Sequence, residues 1–132
     1  MAQPSQFEVS TQYYLTVSHA QASSVADQLF FVAPEPLEVV EIHEVHGTAG
    51  TDGSAVTATI RKCTGTTALA SGTDLLSTTI NLKGAANTVQ SPALTTTTAD
   101  LQLATGDRLA FDSTGTTTAL ANMVVTVLLR RI

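Results

Sequence analysis

Ala55-Val56-Thr57-Ala58-Thr59-Ile60-Arg61-Lys62 alternates strictly: Val56, Ala58 and Ile60 fall on one face of an extended chain, Thr57, Thr59 and Arg61 on the other. A period of two with β-branched residues on both faces predicts a strand in a sheet that is covered on one side. The flanking sequence repeats the pattern. Tyr13–Val17 and Gln28–Val32 are compact runs of strand formers, the second ending before Ala33-Pro34-Glu35-Pro36, whose prolines rule out a continuing central ladder. Leu37 to His46 alternates less cleanly, with Val40 and Ile42 assigned to one face and Val39 and Val45 to the other. Leu75–Leu82, Ala93–Thr98 and Leu109–Phe111 read as further strands, and Ala119–Leu129, apolar on both faces near Met123-Val124-Val125, as a central one. Glycine- and threonine-rich turns separate these runs, and no stretch has helical periodicity. The expected fold is all-β, an antiparallel sandwich or barrel over residues 13–132, with residues 1–12 as a flexible N-terminal arm that orders against a neighbour.

Composition bounds the function. The chain has 132 residues, enough for one domain with a real core, and only 13% of them are charged, about half the usual share for a soluble protein. A weakly charged surface is easily desolvated against another protein, which favours assembly. Six Lys or Arg residues against a net charge of -5 argue against a nucleic-acid partner, and no basic run is longer than a pair such as the terminal Arg130-Arg131. The N-terminal residues lack the charged and apolar regions of a signal peptide, and the apolar run near Met123–Leu129 is far below the roughly 18 residues of a membrane span. Cys63 has no partner for an internal disulfide and reads as an ordinary small residue.

His43-Glu44-Val45-His46 is the one stretch suggestive of chemistry. A zinc-protease motif sets its histidines four apart on one helical face. Here they are three apart on a strand and face opposite ways, with His19 distant, so strand running into turn is the better reading. Asp107 and Asp112, five apart, likewise diverge; Asp107 fits a turn role, and Arg108 a solvated or interfacial one. Glu38, Glu41 and Glu44 make at most a weakly acidic ribbon on a solvated edge, or a docking patch for a basic partner. No serine-nucleophile elbow or phosphate loop is present. The expectation is therefore a non-enzyme with no catalytic, cofactor-binding or metal residues, no cofactor, and no small-molecule substrate.

The run Glu41–Gly50, the stretch Ala55–Gln90, the phrase Gln102–Leu120 and the closing Val124–Ile132 resemble small structural proteins from the head gene clusters of tailed bacteriophages, capsid decoration or cement proteins among them. The resemblance implies a jelly-roll-like β-sandwich on the outer surface of an icosahedral capsid. Such a virion protein is assembled in the host cytoplasm, associates as a dimer or trimer, and stabilises the shell by bridging major capsid subunits. A tail-associated or head-fibre protein and a carbohydrate-binding β-sandwich are the alternatives. The last is poorly supplied, since the chain has no tryptophan and its two tyrosines are adjacent.

Overall fold

A computed structural model describes residues 13–132. Its strands are β1 (Tyr14–Gln21), β2 (Gln28–Val32), β3 (Leu37–Thr48), β4 (Thr57–Cys63), β5 (Thr73–Asp74), β6 (Ile80–Asn81), β7 (Gln102–Leu103), β8 (Arg108–Thr114) and β9 (Ala121–Arg131), joined by two 3-10 turns at Leu69–Ser71 and Thr98–Leu101. The arm expected over residues 1–12 lies outside the described residues.

Two antiparallel sheets form, one in the order β1-β9-β3-β7, the other in the order β2-β8-β4-β5 with β6 also on β4. The pairings β1 with β9, β2 with β8, β3 with β7, and β4 with β5 and β6 nest inside one another. First meets last and the middle meets itself, as in one long hairpin rolled up so that its strands fall alternately into two sheets. This is a jelly-roll sandwich, and the expected fold class holds.

The core lies between the sheets. Phe111, Ile60 and Leu109 of the second sheet face Met123, Val125, Val127 and Leu129 of β9, all fully buried. Each such side chain contributes about 1.5–3 kcal/mol by leaving water. β9 is central, as its two apolar faces foretold: its inner residues are buried, while Val124, Thr126 and Leu128 on the outer face remain half-buried. Val56, just before β4, and Ala58 and Ile60 within it are buried as read, and Thr59 donates to the Asp74 carboxylate.

Three expectations need correction. In β3, a bulge between Val39 and Glu41 inserts Val40 opposite β9, so Val39 and Ile42 both point inward, followed by Glu44 and His46. Strict alternation had put Val39 and Ile42 on opposite faces; the extra residue resets the phase. Leu75–Leu82 is not one strand. Within it only Ile80–Asn81 forms a strand, β6; β5 stops at Asp74, just before it, and Leu76 makes only an isolated bridge to Leu94. Ala93–Thr98 is irregular and runs into the second 3-10 turn; Ser77 N donates to Ala93 O and Thr95 N to Leu75 O, so it follows the 75–77 segment without building a ladder.

Loop carboxylates tie the structure together. Asp52 accepts from Thr116 N and Ser54 N, which holds its carboxyl below the usual range. Asp27 accepts from both Ser113 N and Oγ. Gly115 needs its freedom: its φ is +94°, and a Cβ there would run into the Ala55 carbonyl.

Candidate functional site

The β3 bulge divides the stretch suggestive of chemistry between two environments. Inward, Glu44 and His46 have no side-chain exposure. Glu44 Oε1 lies 2.7 Å from His46 Nδ1, His46 Nε2 donates to Gly84 O at 2.9 Å, and Gln90 Nε2 donates to Glu44 Oε2 at 2.8 Å. Backbone bonds from Glu44 N to Gln90 O, Gln90 N to Glu44 O and Asn87 N to His46 O complete a strap holding the 84–90 loop on β3. A carbonyl only accepts, so Nε2 carries a proton; the Glu44–His46 contact then holds a single further proton and the pair is neutral overall. Burial pushes the Glu44 carboxyl up, against the hydrogen bonds from His46 and Gln90. Sealed from water and saturated with partners, this group is a lock rather than a reaction centre.

Outward, His43 Nε2 lies 2.9 Å from Glu41 Oε2 and Nδ1 lies 2.8 Å from Ser91 Oγ. A carboxylate only accepts, so the neutral ring donates to Glu41 and accepts from the Ser91 hydroxyl. That is the polarity of a hydrolytic relay, beside a depression of about 390 Å³ lined by Val40, Ile42, Pro92 and Leu94. The residue after Ser91 is proline, which has no N–H to offer a developing oxyanion. The Glu41 and His43 side chains are 56% and 37% exposed, so the relay is solvated, and it ties Ser91 to the outer face of the sheet. His43 and His46 diverge, as their spacing predicted. His19 is elsewhere, its ring stacked 4.8 Å from Phe30 and tilted against Phe111, with burial lowering its pKa. Among the described residues no three His, Cys, Asp or Glu side chains come together to hold a metal.

The acidic ribbon dissolves on inspection. Glu44 is in the core, Glu41 serves His43, and Glu38 pairs with Arg130, all on a central strand rather than an edge. Asp107 sits in the turn before β8 and accepts from Ala104 N, while Asp112 pairs with Arg61 at 2.6 Å. Arg108, expected to be solvated or interfacial, donates to Gly65 O and Thr67 O and clamps that loop. Cys63 is buried.

The remaining feature was not foreseen. On one side of the sandwich the sheets end in β5 and β7, two residues each. On the other they end in β1 and β2, eight and five residues long, and among the described residues β1 pairs only with β9 and β2 only with β8. Between these edges runs a groove of about 560 Å³ lined by Ser18–Ala20, Gln28–Val32 and Arg108. Neither edge strand carries a charged residue or a proline, and Leu29 and Val32 are 41% and 62% exposed. Free monomers blunt such edges with short strands, lysine or proline; β5 and β7 follow that rule and β1 and β2 break it.

No protein-family model matches the chain, and no curated protein matches it. Among solved structures it is similar to a chain of the infectious bursal disease virus Gx strain (15% identity, TM-score 0.48) and one of the Gt strain (14%, 0.35), each match covering 91% of this chain and 32% of that one. It is also similar to a chain of T=1 particles derived from that virus (14%, 0.38), over 91% of this chain and 31% of that one. The chain thus spans about a third of the length of those it matches, and at these identities the likeness concerns the fold alone. The expected membership of the tailed-bacteriophage decoration proteins is overturned: these likenesses are to infectious bursal disease virus, and no family or curated protein supports the bacteriophage assignment. The phrases that suggested it are turn and alternation phrases, which threonine-rich sandwiches share whatever their origin.

Proposed function

We propose that this chain is a structural, non-enzymatic protein of a virus particle, seated on the outer surface of an icosahedral shell after assembly in the host cytoplasm. There it associates with itself as a dimer or trimer and braces neighbouring major capsid subunits. The observation that carries this reading is the asymmetry of the sandwich: one side is closed by stub strands, the other left open as two long, uncharged edges. Such edges are suited to pairing with another chain. The side chains able to do chemistry support it too, since Glu44, His46, Asp52, Asp112 and Arg108 are engaged in holding strands and loops. Repetition over a shell turns modest contacts into firm attachment, because each further contact is made at high effective concentration.

The test is quantitative mass spectrometry of density-purified particles, counting copies of this chain per major capsid subunit. A ratio near one, or a simple fraction of it, is expected. Absence from particles would overturn the proposal, and a few copies per particle would remove its shell-bracing role.

A further inference from the structure

The groove between β1 and β2 has an occupant within the sequence itself. The geometry points to residues 1–12 of a second copy lying along it as an added strand, an inference that rests on the self-association in the reading above. Gln6-Phe7-Glu8-Val9-Ser10-Thr11 alternates, with Phe7 and Val9 on one side, matching a groove lined by the exposed Leu29 and Val32 and the half-buried Phe30 and Phe31. Twelve residues reach about 40 Å when extended, more than the roughly 27 Å of an eight-residue strand.

The chain's own arm is badly placed to fill its own groove. Tyr13 continues the line of β1: its carbonyl accepts from Arg131 N, its hydroxyl donates to Glu35 at 2.6 Å, and the Arg131 guanidinium sits 4.1 Å over its ring. The described chain thus begins at the Tyr14 end of β1, the end away from Ser18–Ala20. Reaching them in the same molecule requires a reversal at the start of the strand, whereas a neighbouring copy can be entered without one.

Disulfide trapping in the full-length chain tests this. One preparation carries Val9→Cys and a second Val32→Cys; they are mixed, oxidised and resolved without reductant, with Val9→Cys mixed with the unaltered chain as the control for Cys63. Sedimentation of the unaltered chain is measured alongside. The expected result is a mixed disulfide in most of the protein, its absence from the control, and an oligomer whose association weakens at least tenfold on Val32→Lys. An oligomer without the disulfide overturns the arm's placement but leaves self-association standing. A monomer throughout overturns both. A concentration-independent disulfide within single chains carrying both cysteines overturns the exchange between copies.

Discussion

Glu44 and His46 stand two residues apart on β3, inside a core otherwise built from aliphatic and aromatic side chains, and each depends on the other there. Replacing His46 by Ala leaves Glu44 Oε1 and the Gly84 carbonyl without their partner in the core, and should destabilise the fold by about 3–5 kcal/mol. Glu44→Gln is expected to lie within about 1 kcal/mol of the unaltered chain, since its amide can donate to His46 Nδ1 and accept from Gln90 Nε2. Urea unfolding of the two variants checks the contrast, and equal losses would contradict the lock. The pair also carries a signature in pH. The Glu44 carboxyl is raised in the folded state, so above the unfolded-chain value of about 4.3 the folded protein holds the extra proton, and its contribution to stability declines as pH rises towards the folded value. Glu35 and Asp52, held low by Arg131 and by the Thr116 amide, act in the opposite sense, gaining as pH rises. The difference between the unaltered chain and Glu44→Gln isolates the Glu44 effect: the advantage of the unaltered chain should shrink as pH rises through that window. None of this was legible from the sequence, because the partners that make Glu44 and His46 comfortable in the core, Gly84 and Gln90, lie some forty residues away in a loop with no periodicity of its own.

β3 marks the boundary between what a strand's sequence does and does not reveal. β4 and β9 could be read more directly: Ala58 and Ile60 point inward as the alternation of β4 assigns them, and β9 is central as its apolar faces indicate. β3 could not, because a bulge is a property of the backbone pairing and leaves no residue type behind; one extra residue at Val40 was enough to misassign a face. The same physics gives a test. Deleting Val40 removes the bulge yet keeps Val39, Ile42, Glu44 and His46 inward, so the fold should survive with a loss of roughly 1–2 kcal/mol. Deleting Val45 reverses the phase of His46 and should abolish cooperative unfolding. Circular dichroism melts of the two deletions decide it, and equal behaviour would contradict the register. Elements whose ladders are short escaped the sequence for a related reason. β5, β6 and β7 have two residues each, too few to show a period, and the threonines of 95–98 are as compatible with a loop as with a strand.

At the scale of the molecule, the all-β jelly roll and the low charge belong to one account. A chain with net charge -5 keeps its edge segment 14–33 free of charge except at Asp27, which is occupied by Ser113. Copies can therefore approach along β1 and β2 without opposing like charges, and the contact gains little from attraction between ions. The fold class was readable because alternation and turn residues agree along the chain; the open side was not, because which strands end a sheet depends on pairings distant in sequence. The most direct measurement is sedimentation velocity of the purified full-length chain across protein concentration and from low to high salt. The account predicts a discrete dimer or trimer whose population is unchanged or strengthened by salt, as for association through apolar surface and backbone hydrogen bonds. A monomer at every concentration, or an oligomer that salt dissolves, would contradict it.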